Sequence, residues 1–143
     1  MTIASWMHLD SVEPLTFLDW AVAQSLFSRV SRLGPTVPVA PAAGKSVFTG
    51  IGGCSSCHTL AAAGATGTVG PNLDKQLKPS CATPKSKRIR GTPLKKCIHT
   101  AIVKPYAYIP PGYKAGIMPA NFSQKLKPSE IQALVNFLAA DAK

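Results

Sequence analysis

Five consecutive residues, Cys54-Ser55-Ser56-Cys57-His58, constrain this chain more than any other stretch. One short turn has to present two thiols and an imidazole together, so whatever the chain folds around is reached from a single loop. At C-x-x-C-H spacing each sulfur can form a thioether to a vinyl group on a porphyrin edge, and the histidine that follows can face the iron. C-x-x-C alone also suits zinc ligation or a thioredoxin-like dithiol, and both stay open here. The adjoining histidine favours covalent haem.

A length of 143 residues accommodates one compact domain and an appendage. A covalently held apolar ligand would enlarge the core that so small a helical domain can bury. Charge is lopsided, with sixteen Lys and Arg against six Asp and Glu and a formal balance of +10. Such a surface is solvated in its own right, and it also docks on acidic proteins or anionic lipid. No nucleic-acid-binding motif accompanies it, so nucleic acid is not an expected partner. Of the four cysteines, Cys81 and Cys97 lie outside the motif. In a protein matured outside the cytoplasm such a pair implies a disulfide.

From Leu15 the apolar positions Leu18, Val22, Leu26, Val30 and Leu33 recur at helical spacing. Residues 1–33 are therefore expected to contain an amphipathic helix that anchors or docks. Asp19, Gln24 and Arg29 interrupt it too often for a membrane span. Its acids come early and its arginines late, the reverse of a secretory leader. Residues 34–43 (GPTVPVAPAA) form a stiff, proline-rich linker. The globular domain is expected to begin near Gly44, with a helix that buries Val47 and Phe48.

After His58 the run LAAAGATGTVG leads to Pro71-Asn72-Leu73. Small side chains let backbone pass close to a large flat ligand, and a carbonyl held by Pro71 can accept from the second ring nitrogen of an iron-bound histidine. Lys75 to Lys104 holds nine Lys or Arg and no acid. Its core, PKSKRIRGTPLKK, reads either as a solvated loop closed by the disulfide or as a docking patch for an acidic partner. Thr92-Pro93 supplies a cap and first-turn pair for a helix that buries Leu94, Ile98, Ala101 and Ile102, with His99 on its surface. Residues 105–119 are rich in turns and tyrosines. Met118 ends them, and with Met1 and Met7 beyond the linker it is the one methionine in position to oppose His58. Ile131, Leu134, Val135 and Leu138 then stripe a last helix, with Phe137 alongside.

From about Gly44 to the C-terminus the chain resembles the class I, monohaem cytochromes c of bacterial type. The likeness rests on the helix carrying Gly44 and Phe48, on CSSCH at 54–58, GPNL at 70–73, GIMPANF at 116–122 and SEIQALVNFLAA at 129–140. It implies an all-α fold of three to four helices wrapped around one haem c, here with an extra N-terminal helix. It also implies thioethers from Cys54 and Cys57, axial ligands His58 and Met118, and orientation of His58 by the Pro71 carbonyl. Asn121 would bond the methionine sulfur, and Tyr108 and Tyr113 would contact a propionate or the distal pocket. Residues 102–138 look similar to cytochrome domains fused to or associated with respiratory oxidases.

The expected function is one-electron transfer in a respiratory or photosynthetic chain, with no substrate turnover. The alternative is the electron-entry subunit of a larger membrane oxidoreductase, docked through residues 1–33 on a membrane or on other subunits. A peroxidase or gas sensor would need an open iron site, and a zinc module would leave GPNL and GIMPANF without a role. The expected partner is an acidic redox protein. The expected compartment is the periplasm or the outer face of the cytoplasmic membrane.

Overall fold

The computed structural model describes residues 41–143; the helix expected within 1–33 and most of the 34–43 linker lie outside the described residues. Six helices follow in chain order: α1 (Pro41–Thr49), α2 (Leu73–Ala82), α3 (Pro84–Arg90), α4 (Leu94–Val103), α5 (Phe122–Lys125) and α6 (Pro128–Asp141). Between α1 and α2 runs a two-stranded antiparallel ribbon, β1 (Thr59–Leu60) with β2 (Ala65–Thr66), paired Thr59 to Thr66 and Leu60 to Ala65. Among the described residues no helix is long and apolar enough to cross a membrane.

The fold is set by the crossing of α1 on α6. A Cβ at Gly44 would collide with the Ala133 carbonyl and with Phe137 Cβ, so only glycine lets the two backbones approach this closely. Phe48 then meets Phe137 edge to face, with ring centroids 6.3 Å apart. The stripe expected on α6 is buried in full, from Ile131 through Leu134, Val135, Phe137 and Leu138. α4 lays Ile98 and Ile102 against the same core. α6 starts at Pro128, and the Glu130 carboxylate accepts from the Lys127 amide at 2.7 Å, satisfying a donor that a helix start leaves open.

The basic stretch expected as a loop is helical instead. Thr83 caps α3 by accepting from the Ser86 amide at 3.2 Å, and Pro84 fills the first turn. Gly91, at φ 84°, ends the helix. α4 likewise begins one residue later than expected, because Pro93 is still extended and takes the cap position in place of Thr92. Besides α1, α4 and α6 of the expected arrangement, α3 lies wholly within the stretch that Cys81 and Cys97 bracket, and α2 leads into it.

Cys81 and Cys97 form the disulfide, which ties α2 to α4 across 16 positions. Both cysteines are buried, and Ser86 Oγ lies 3.7 Å from Cys97 Sγ. In the chain-entropy model a loop of this size stabilises the fold by about 3 kcal/mol. Cys81→Ser with Cys97→Ser is therefore expected to lower the unfolding free energy by about that amount in a denaturant titration. A loss below ~1 kcal/mol would show that helix packing alone holds α3 in place.

Candidate functional site

α1 ends at Thr49, and a turn through Gly50 and Gly53 delivers the chain into the motif. Cys54–Ser56 form one 3-10 turn, closed when the amides of Cys57 and His58 both donate to the Cys54 carbonyl, at 3.2 and 3.0 Å. Both sulfurs and the His58 ring thereby reach the wall of a single cavity of about 620 Å³. That size lies within the range of small-molecule and cofactor sites, and most of the surrounding side chains are apolar. Phe48, Leu77, Ile98 and Leu134 contribute from four different helices.

His58 Nδ1 lies 2.9 Å from the Pro71 carbonyl oxygen. A carbonyl can only accept, so Nδ1 carries the proton and Nε2 keeps its lone pair. This is the tautomer that an Nε2-bound metal requires. Burial pulls the His58 pKa below the ordinary imidazole value, while the Pro71 bond pulls it upward. The neutral ring is thus favoured. Asn72 caps α2 by accepting from the Lys75 amide at 3.2 Å, and Asp74 accepts from the Ala61 amide at 3.0 and 3.2 Å. Those bonds hold Pro71 where its carbonyl is needed. Gly70 lies flat on the His58 ring, where a Cβ would come within 2.8 Å of Nδ1.

Cys54 and Cys57 are unpaired and half-buried. Burial pushes the Cys54 thiol up to about 11, aided by the nearby Cys57 and opposed by a backbone bond and by Lys125. A dithiol catalyst needs the opposite shift, because the thiolate is its nucleophile. Among the described residues no group of three or more His, Cys, Asp and Glu gathers that could hold a metal ion, so the zinc reading finds no ligand set. Alkylation of the two thiols by a prosthetic group is compatible with both observations.

Met118, half-buried, reaches the cavity from the 105–119 segment, and the Tyr106 hydroxyl donates to its carbonyl at 3.0 Å. Asn121 and Tyr113 line the cavity too, and the Tyr113 hydroxyl donates to Gln76 Oε1 at 3.3 Å. Asn121 precedes α5, where its carbonyl accepts from the Gln124 and Lys125 amides, both at 3.0 Å. Tyr108 does not line the cavity; it is buried, 9 % exposed, under the guanidinium of Arg90. Tyr106, two positions earlier, takes the place on the wall expected for it. His99 sits on the exposed side of α4.

The residue that sequence reasoning missed is Arg90. It lines the cavity at only 7 % exposure. Its Nη2 donates to the Tyr108 carbonyl at 2.7 Å, and its Nε is buried without a partner. Burial draws its pKa below the ordinary arginine value, with Tyr108 acting in the other direction. A cation on an apolar cavity wall with an unused donor calls for an anionic ligand group.

A helical shell closed around one large apolar cavity, with both sulfurs and the imidazole of CSSCH in its wall, defines a small domain built to hold a prosthetic group. The family model for cytochrome c matches residues 41–140, and the chain belongs to that family. Its members bind haem c covalently and are generally electron carriers. Comparison with curated proteins and with solved structures gave no match. The residues present fit a haem: the cavity is apolar, Gly70 brings no side chain against the His58 ring, His58 offers Nε2, and Arg90 offers a counter-charge.

Proposed function

We propose that the chain is a one-electron carrier: Cys54 and Cys57 would hold a single haem c covalently, and His58 and Met118 would ligate its iron. The bond from His58 Nδ1 to the Pro71 carbonyl carries this reading, because it fixes the imidazole in its ligating tautomer beside the two sulfurs. Bound in this way, haem supplies an Fe(III)/Fe(II) couple. The chain's residues do the rest. The apolar wall disfavours the extra charge of the oxidised state, and a thioether donor favours the reduced one, so both raise the potential. Tyr106 braces the Met118 segment. Arg90 would hold a haem carboxylate in its ionised form.

The partner is an acidic redox protein, recognised by a basic surface that speeds encounter. The compartment is the periplasm or the outer face of the cytoplasmic membrane; a buried disulfide beside a covalently attached haem supports it. The test is an acid–acetone extraction of the mature protein followed by its spectrum. Colour should stay with the polypeptide in the wild type and be lost to the solvent in Cys54→Ala, Cys57→Ala. Colour extracted from the wild type would overturn covalent attachment.

A further inference from the structure

Of the nine basic residues between Lys75 and Lys104, four line a second groove, and three of them, Arg88, Lys96 and Lys104, are exposed there. It runs between α3 and α4, holds about 510 Å³, and has Arg88, Lys96 and Lys104 in its walls. Ile89, Val103 and Ala107 give it an apolar component, and Ile89 is 41 % exposed although large and hydrophobic. Among the described residues Arg90 alone belongs to both linings. The groove is therefore not the mouth of the haem cavity.

Three observations make the groove a built surface rather than a solvated loop. One end of α3 sits at the α2–α4 disulfide, where Ser86 Oγ lies 3.7 Å from Cys97 Sγ. The Thr100 hydroxyl donates to the Arg90 carbonyl at 2.9 Å and fixes the other. The stem of Lys96 lies across Gly91, where a Cβ would come within 2.9 Å of its Cδ and Cε. A surface held in this way loses little entropy when a partner docks. Among the described residues its charge is also left standing. No acid lies between Lys75 and Lys104, Asp74 is engaged with the Ala61 amide, and Glu130 is engaged with the Lys127 amide.

Resting on the electron-carrier reading, we infer that the α3–α4 groove is a docking site for an acidic segment of a redox-partner protein, bearing an apolar anchor beside Ile89. Carboxylates meet Arg88, Lys96 and Lys104, and an aliphatic side chain meets Ile89 and Val103. A membrane is the poorer occupant, because α3 has seven residues and one exposed large apolar side chain, too little to enter a bilayer interface. The groove shares only Arg90 with the cavity lining among the described residues, so tethering and electron exchange are separable.

The probe is a short synthetic peptide of Asp and Glu with a central Leu pair, titrated into the mature haem-bearing protein at low salt and followed by NMR. Backbone shifts are expected to concentrate on residues 88–107. Arg88→Glu with Lys96→Glu should weaken binding at least about tenfold, whereas Lys114→Glu with Lys125→Glu, on the cavity wall, should weaken it less than about threefold. Ile89→Ser should weaken the Leu-bearing peptide and leave an all-acidic one unchanged. Equal sensitivity to both charge-reversal pairs would overturn the proposal, as would shifts centred on Val69, Ile117 and Lys125. So would tighter binding to phosphatidylserine vesicles than to the peptide with the same dependence on Arg88 and Lys96. Each variant's haem spectrum is recorded first: an intact spectrum with unaltered peptide binding defeats the groove alone, whereas absence of covalent haem in the wild type defeats the electron-carrier reading.

Discussion

Met118→Ala is expected to erase the far-red methionine–iron absorption band and to lower the midpoint potential by on the order of 0.1–0.2 V, a fraction of the ~0.8 V that axial ligation commands across haem proteins. Among the described residues Met118 is the one methionine, and none of them offers a second thioether. The vacated position should then admit imidazole or carbon monoxide, which the wild type excludes. Tyr106→Phe supplies the graded case. It removes the hydroxyl that donates to the Met118 carbonyl at 3.0 Å but leaves the sulfur in place. The band should survive, while imidazole competes for the iron at lower concentration than in the wild type. A Met118→Ala protein with its band and potential intact would require a different sixth ligand, and the assignment of Met118 would be abandoned.

The parts of this molecule that were readable in the sequence are those where local pattern and tertiary role coincide. α6 shows its buried face as a 3.6-residue stripe because one side of it meets one core. CSSCH is legible because its chemistry is completed within one turn. Pro71 could be assigned because a rigid carbonyl shortly after an iron-facing histidine has an evident use. The α2–α3 segment hid itself for physical reasons. Pro79 lies inside α2, where it removes a donor and argues against a helix, and the lysines around it obscure the buried side given by Leu77 and Cys81. In α3 the cap and stop signals Thr83-Pro84 and Gly91 were present, yet seven residues with five formal charges or hydroxyls show no apolar stripe.

Arg90 and Tyr106 were unreadable for a second reason. Arg90 differs from Arg88 only in facing inward, and that follows from the register of a seven-residue helix just short of two turns. The one available clue was spacing, since Ser86 and Arg90 stand four apart and both are buried. Tyr106 and Tyr108 flank a 3-10 turn, Pro105–Ala107, in which a two-residue step does not keep two side chains on one face. Residue type marked that segment as a candidate wall, and only the backbone path decided which tyrosine reached it.

Arg90→Leu is expected to make the midpoint potential depend on pH. The wild-type guanidinium is buried with Nε unpaired, and a haem carboxylate beside it would remain ionised over the neutral range. Without that cation two effects follow. At alkaline pH the carboxylate stands alone and stabilises the oxidised centre, so the potential falls by on the order of 50–100 mV. The unpaired carboxylate also has a raised pKa. As pH drops through that value it takes up a proton, its negative charge disappears, and the potential climbs back by up to about 59 mV per pH unit. On the acid side wild type and variant converge, because an arginine–carboxylate pair and a neutral acid carry the same net charge. Arg90→Lys keeps the charge but not the planar fork that reaches the Tyr108 carbonyl at 2.7 Å, and should show a smaller shift with a shallower slope. Voltammetry of the three proteins from pH 5 to 9 reads all of this. A flat Arg90→Leu profile lying on that of the wild type would mean that the buried guanidinium serves Tyr108 alone, with no anionic group of the cofactor beside it.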